Sequence, residues 1–287
     1  MIYLQRLKNG FLLFLVPLFL IQLFVYVVPI VSTVCHAFQN TTIAGEDSFT
    51  LTGNFAKIAK DLGPVIGRTL IWTFGSIIPS MLLGLAAALV FNRNFFGKKL
   101  CVSICLLPYT IPLIIVAVCW YLLYQPNFGL LNTFMQTVGL TGKPVQFLSR
   151  NTALTAVIVA RIWRSMPFAF ISYYAALKSI PAEYMEAAAV DGAGHFQTLR
   201  YITLPQLKPI TLTTGIILTV WTFLVFDIVY SMTGGGPGKA TTIMPMSIYH
   251  ELISMHDTGA ASALSLIAIL ILMIMTTIYW KCLKEAD

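Results

Sequence analysis

Three ionisable residues, Arg161, Arg164 and Asp227, fall inside otherwise apolar stretches. A charge inside a bilayer costs of order 2.5 to 3.5 kcal/mol on insertion scales, so such residues mark functional positions. At helical spacing Arg161, Arg164, Ser165, Phe168 and Ser172 share one face, a polar stripe with an aromatic in it. Trp221, Thr222 and Val225 share a face of a second stretch, with Asp227 and Tyr230 nearer its end. A polar stripe on an otherwise apolar helix should face a cavity, so the chemistry offered is binding along a solute pathway. Two arginines on one such face suit an anionic solute, because guanidinium matches carboxylate and phosphate geometry. The competing reading is structural: Arg164 pairs with Asp227 or with a partner subunit, and Phe168 and Trp221 serve helix packing. His36, His195, His250 and His256 sit in loops or at segment ends and make no acid/base or metal constellation with an intramembrane acid. No catalytic residue and no metal ligand is expected.

The elements that position these residues follow from composition. The chain has 287 residues, 57% hydrophobic and 10% charged, with a mean hydropathy of +0.81. Soluble domains carry roughly 25% charged residues. A spanning helix needs about 20 mostly apolar residues, and six segments qualify: Phe11–Thr33, Thr69–Phe91, Leu100–Tyr124, Thr152–Leu177, Pro209–Met232 and Gly259–Cys282. Backbone amides in lipid must be satisfied within the segment, so the predicted class is all-α, a polytopic membrane protein with six transmembrane helices. Pro17, Pro79, Pro108, Pro112 and Pro167 predict kinks, with Pro167 interrupting the fourth span beside the polar stripe. Cys35, Cys101, Cys105, Cys119 and Cys282 form no CxxC pair and read as buried thiols.

The net charge of +7 does not point to nucleic acid, because the Lys and Arg flank apolar runs in short clusters. They read as topology signals. Arg6 and Lys8, followed by Arg93, Lys98, Lys99, Lys178, Arg200, Lys208, Lys281 and Lys284, predict a cytoplasmic N-terminus (1–10), a cytoplasmic loop (178–208) and a cytoplasmic tail (283–287). Lys57, Lys60 and Arg68 then fall in an outer loop (34–68), with Lys143, Arg150 and Lys239 also outside. The first span is longer than a signal-peptide core and lacks an A-x-A site, so it stays as an anchor.

The loop Ser179–Pro209 is neither a turn nor a span. Pro181 suits a first helical turn, Glu183 and Glu186 suit a helix N-terminal half, and Ala187, Ala188 and Ala189 are strong helix formers. Gly192, just after Asp191, should end that helix. A second helical stretch, His195 to about Ile202, follows before Pro205 and Pro209 reset the direction.

Glu186, Ala187, Ala188, Gly192, Ile202, Leu204 and Pro205 match, with full spacing, the EAA-x3-G-x9-I-x-LP motif. The chain therefore resembles the membrane subunits of binding-protein-dependent ATP-binding-cassette importers. In that family the segment is a coupling helix docked on an ATPase subunit, which implies that role for Glu183, Glu186, Ala187, Ala188, Asp191, Gly192, Ile202, Leu204 and Pro205. Phe226, Asp227, Tyr230, Thr233, Gly234, Gly235, Gly236 and Pro237 resemble the FD-x-x-Y-x-x-T-G-G-G-P segment of carbohydrate importers, as Trp163, Pro167 and Phe168 resemble their W-x-x-x-P-F. The resemblance is to the larger maltose-transporter membrane subunit and to glycerol-phosphate permease subunits, without the former's extra N-terminal spans and outer domain. It also points to the spans flanking the coupling loop as the site of the sugar pocket, where aromatic faces would stack on sugar rings, short polar side chains would bond hydroxyls, and Arg161 and Arg164 would suit an acidic sugar better than a neutral one.

The run GGGPGKAT is not a phosphate-binding loop: G-x-x-x-x-G-K-[ST] would need Gly at Thr233 and Ser or Thr at Ala240. It reads as a flexible outer loop.

The resemblance implies a permease subunit that moves a sugar or oligosaccharide by alternating access, with ATP and Mg held by partner ATPase subunits and no cofactor on this chain. The partners implied are a second homologous permease subunit, two cytoplasmic ATPase subunits, an extracytoplasmic solute-binding protein and the lipid bilayer of a bacterial cytoplasmic membrane. The same architecture importing glycerol phosphate or another small polar solute is the nearest rival; a polytopic membrane enzyme is a remote one.

Overall fold

The computed structural model describes residues 15–40 and 48–284. The N-terminal segment 1–10, the first residues of the first predicted span and the last residues of the tail lie outside the described residues. Within them the regular secondary structure is helical apart from a two-stranded antiparallel ribbon, β1 (Gln39–Asn40) against β2 (Ser48–Phe49). The helices are α1 (Leu15–Ala37), α2 (Gly53–Asn92), α3 (Lys98–Thr110), α4 (Leu113–Leu123), α5 (Leu130–Thr137), α6 (Ala153–Ser179), α7 (Ala182–Val190), α8 (His195–Gln206), α9 (Lys208–Leu224), α10 (Asp227–Thr233), α11 (Met244–Tyr249) and α12 (Thr258–Lys284). Among the described residues α1, α2, α6 and α12 are each long and apolar enough to cross a membrane, and the number is up to six if each of the bent pairs α3–α4 and α8–α9 is one span.

Helix bounds depart from those read off the sequence: the first span runs on to Ala37, the fifth predicted span (Pro209–Met232) is broken after Leu224, and three further differences bear on the site. α2 begins at Gly53, well before Thr69, and its 40 residues extend to about 60 Å at 1.5 Å per residue, twice a hydrocarbon core of about 30 Å. Its first turns carry Lys57, Lys60, Asp61 and Arg68, so hydropathy stops short of the helix although backbone bonding does not. Much of the predicted outer loop is therefore helix. The predicted third span is two helices, α3 and α4, meeting at 99°; Ile111, held extended at φ −79°, ψ 133° by the following Pro112, makes the break. Pro167, by contrast, lies inside α6 without interrupting it.

The chain divides into two compact units. The first comprises the described residues up to Leu62 together with Ser247–Leu270. There Asn54 Nδ2 donates to the carbonyls of Ala37 (3.0 Å) and Gln39 (2.8 Å), fixing the start of α2 against the end of α1. Lys57 Nζ bonds Asp257 Oδ2 at 2.8 Å, and Asp257 Oδ1 accepts from the Ala260 amide at 2.9 Å, capping α12.

The second unit, Gly63–Met246 with the chain from Ile271 onward, holds the site. α6 packs against α3, α4, α9 and α10. Around it, buried apolar side chains form a cluster of Trp72, Val116, Tyr124, Val157, Ala160, Ile228 and Val229, and another of Ile77, Ala88, Ala169, Phe170, Tyr173, Leu207 and Leu218. Gly84 allows α2 to reach α6, since a Cβ there would lie 2.7 Å from Ala169 Cβ and 2.7 Å from the Phe170 amide nitrogen.

Candidate functional site

Between the two clusters, α6 carries Arg161, Arg164 and Ser165. Facing them, two helices break at the same level. α3 ends at Ile111 and α9 ends at Val225, whose φ −69°, ψ 128° is as extended as that of Ile111. A cavity of about 370 Å³ opens there, lined by Tyr109 and Leu113 on either side of the first break, by Leu218, Trp221, Leu224 and Val225 leading into the second, and by Arg161, Arg164, Ser165 and Phe168 of α6. Broken helices present polar backbone only where protein or cavity satisfies it, and one carbonyl at each break accepts a side-chain bond from a neighbouring helix. Arg164 Nε donates to the freed Ile111 carbonyl at 3.2 Å. Trp72 Nε1 donates to the Thr222 carbonyl at 2.9 Å.

The lining has two characters. One wall is a run of rings: Arg164 lies over Tyr109 at 4.5 Å from the ring centroid, Tyr109 stacks on Phe168 at 5.9 Å, and Phe168 meets Trp221 at 4.9 Å. The other is cationic and hydrogen-bonding. Arg161 is 6% exposed; its Nη2 donates to Thr222 Oγ1 at 3.1 Å, while its Nε and Ser165 Oγ have no hydrogen-bond partner. An apolar ring face with convergent unsatisfied donors beside it can hold a ring-shaped polar solute.

Of the residues the sequence singled out, Arg161, Arg164, Ser165, Phe168, Trp221 and Val225 line this cavity, and Thr222 stands behind it on Arg161. Asp227 and Tyr230 do not line it: Asp227 is the exposed first residue of α10, where a carboxylate suits the helix dipole, and Tyr230 stacks on Phe226 at 4.8 Å. Arg164 turns to Ile111 and Tyr109 and forms no ion pair with Asp227. Ser172 bonds back to its own helix at Phe168. Tyr109, Leu113, Leu218 and Leu224 are lining residues the sequence reading missed. Among the described residues no three His, Cys, Asp or Glu side chains gather as a metal site.

Following α6, the chain enters the EAA loop. α7 ends at Asp191 in a nested pair of bonds, Ala193 N–H to the Ala188 carbonyl (2.9 Å) and Gly192 N–H to the Ala189 carbonyl (3.2 Å), with Gly192 at φ +75°. That left-handed position is what the motif glycine supplies. Ala188 is buried at 5%, whereas Glu183, Glu186, Ala187 and Asp191 are exposed. α8 then carries Ile202 and Leu204 half-buried and Pro205 exposed, and meets α9 at 59°. The loop's outer surface bears apolar side chains in the open, Val190 at 88% and Phe196 at 77% exposure, with Tyr184 and Tyr201 beside them.

The glycine-rich segment is more ordered than the sequence suggests. Gly234, Gly235 and Gly238 all take positive φ. Thr242 Oγ1 donates to the Gly235 carbonyl and Thr241 Oγ1 to the Gly236 carbonyl, each at 3.0 Å. Thr233 and Thr241 hydroxyls meet at 2.6 Å. Arg68 Nε donates to the Thr242 carbonyl at 3.0 Å. The segment Gly234–Pro237 is thus a pinned turn system.

Residues 80–280 match the family described as binding-protein-dependent transport system inner membrane component. The trehalose/maltose transport system permease protein MalF of Thermococcus litoralis is 32% identical over 278 residues, covering 96% of this chain and 93% of that one. The sulfoquinovosyl glycerol transport system permease protein SmoG of Agrobacterium fabrum is 32% identical over 220 residues, 77% of this chain and 71% of its own. In fold, the chain superposes with a TM-score of 0.86, at 22% identity and 99% coverage of both, on a chain from the crystal structure of a bacterial ABC transporter involved in the import of the acidic polysaccharide alginate.

Proposed function

We propose, from the premise that this chain belongs to the family of binding-protein-dependent transport system inner membrane components, that it is the membrane subunit of an ATP-driven importer for a sugar or oligosaccharide. The observation that carries the proposal is a mechanical continuity. α6 runs from Arg161 at the cavity to Ser179 at the EAA loop, and α9 runs from Lys208 at that loop back to Leu224 and Val225 at the cavity. Any displacement of the loop is therefore delivered along two helices to the walls of one solute-sized space. Relatives named for trehalose/maltose and sulfoquinovosyl glycerol transport support a sugar as the solute, and the ring-lined wall suits one.

In this reading the loop 178–208 faces the cytoplasm, as do both termini, and its exposed Tyr184, Val190, Phe196 and Tyr201 seat on an ATPase subunit. ATP and Mg belong to a pair of such subunits, and this chain hydrolyses nothing. A second homologous permease subunit closes the other side of the pathway. An extracytoplasmic binding protein delivers the sugar; in a solved alginate transporter the complex includes a pentasaccharide-bound periplasmic protein. Closure of the ATPase pair moves α7, which tilts α6 and α9 and exposes the cavity outward; reopening turns it inward. A second reading, import of glycerol phosphate, is favoured only by the two cavity arginines.

Reconstitution tests this. The chain with its partner subunits and binding protein in proteoliposomes should accumulate sugar only with ATP. Removing residues 182–193 should abolish accumulation while the ATPase subunits still hydrolyse ATP. Accumulation that survives the deletion would refute the coupling.

A further inference from the structure

The cavity holds more positive charge than it neutralises. Arg161 and Arg164 lie three residues apart on one face of α6, so the two guanidinium groups add their fields in the same space. Their partners are all neutral: Thr222 Oγ1 for Arg161, and the Ile111 carbonyl and the Tyr109 ring for Arg164. No Asp or Glu lines the cavity, and among the described residues neither arginine forms an ion pair. Arg161 is 6% exposed and keeps its Nε without an acceptor, beside a Ser165 hydroxyl, 5% exposed, that also lacks a partner.

Hydroxyl recognition does not need this arrangement. A neutral sugar can be held by Asn, Gln, Ser or Thr, none of which brings the desolvation cost of an ion. A buried cation left without a counter-charge is destabilising, and guanidinium stays protonated in proteins. The site therefore bears that cost until an anion arrives. From these residues we infer that the transported sugar is acidic, and that Arg161 and Arg164, with Ser165, bind its anionic group while Phe168 and Trp221 lie against a ring. Guanidinium forks pair with planar or tetrahedral oxyanions through two parallel hydrogen bonds, so the group is a carboxylate, sulfonate or phosphate carried on the sugar. This rests on the sugar-importer reading above and narrows it to one chemical class.

The test uses the assembled transporter in nanodiscs, without binding protein, so that only the membrane site selects. The probes are trigalacturonate and trimannuronate against the neutral galactotriose and mannotriose, with glycerol 3-phosphate as a small anion. In at least one pair the acidic trisaccharide should bind roughly ten- to hundredfold tighter than its neutral counterpart, the preference should shrink as salt is raised, and Arg161→Gln should remove it. Because loss of a buried arginine can itself disturb folding, the half-buried Arg164→Gln provides the second arm: assayed well below its own unfolding temperature, which loss of the Ile111 bond should lower somewhat, it too should cut the preference. Neutral trisaccharides binding as tightly as acidic ones would overturn the inference and leave the sugar reading standing, since a carboxylate of the second membrane subunit would then supply the counter-charge. Glycerol 3-phosphate binding with no trisaccharide of either charge would overturn both.

Discussion

Arg161 Nη2 donates to Thr222 Oγ1 at 3.1 Å, tying a buried cation on α6 to the last turn of α9. The same residue accepts Trp72 Nε1 on its carbonyl at 2.9 Å, so α2, α6 and α9 meet at Thr222, which is itself 1% exposed. The two bonds use different atoms, and side-chain replacement separates them. The Trp72 bond holds the end of α9 whatever side chain residue 222 carries, whereas the Arg161 bond exists only with a hydroxyl.

Thr222→Val removes that hydroxyl at nearly constant shape. The guanidinium then loses its neutral acceptor, and a hydrogen bond to a charged group is worth about 1.5 to 3 kcal/mol. Thermal unfolding of the purified complex should drop accordingly, with Thr222→Ser close to wild type. Equal unfolding temperatures for Val and Ser would show that Arg161 does not depend on this bond.

Gly84→Ala tests the approach of α2 to α6. The added methyl meets Ala169 Cβ and the Phe170 amide, both at 2.7 Å, and neither can swing away. Overpacking of this kind costs about 1 to 3 kcal/mol. Gly67→Ala on the same helix, where a Cβ meets nothing within 4 Å, should instead be neutral or stabilising by up to about 1 kcal/mol through helix propensity. Unfolding temperatures that move in the same direction for both would contradict the packing.

The cavity was legible in the sequence as far as charge could reveal it. Arg161 and Arg164 stand out in an apolar run, and four-residue spacing brings Ser165 and Phe168 to their face. Tyr109 and Leu113 were hidden because they line the cavity only through the 99° turn at Ile111–Pro112; a single straight span would carry them past it. Leu218 and Leu224 were hidden because an apolar residue lining a cavity has the same type as one facing lipid. The break at Val225 has no proline to announce it. Asp227 misled for a different reason: near the predicted end of a long span its charge looked costly, yet it opens a new helix in the open. The glycine run suggested flexibility because its fixing bonds come from Thr233, Thr241, Thr242 and the distant Arg68, which no local pattern links.

Asp257 gives the pH dependence. Burial raises its carboxyl, but the Lys57 bond, the Ala260 and Gly259 amides and the Lys57 charge together hold it below the ordinary value of 3.8. A folded value below the unfolded one means that the stabilisation is fully present above the unfolded value and is lost as pH falls through the folded one. With Lys57 at 43% side-chain exposure, the pair is worth under about 1 kcal/mol after solvent screening. Asp257→Asn keeps the cap acceptor and discards the charge, so its unfolding temperature should lie slightly below wild type at neutral pH and converge with it in strong acid. A gap that stays constant down to the lowest pH would mean that the charge contributes nothing.

Gly192 separates conformation from contact in the EAA loop. At φ +75° it occupies the left-handed region, where an ordinary L residue loses about 1 to 2 kcal/mol and Asn loses less. A Cβ at this position meets nothing within 4 Å, so substitution acts through the backbone alone. Gly192→Val should loosen the bonds from Ala193 to Ala188 and from Gly192 to Ala189 that close α7, letting α7 pivot without carrying α6 and α9 along. In reconstituted transporter the Val variant should therefore hydrolyse more ATP per sugar moved and accumulate less, at equal assembly with the ATPase subunits. Gly192→Asn should remain near wild type, because the left-handed turn survives. If Val couples hydrolysis to uptake as tightly as Gly does, the rigid closure of α7 is not what transmits the ATPase movement, and the exposed Val190 and Phe196 contacts must carry it alone.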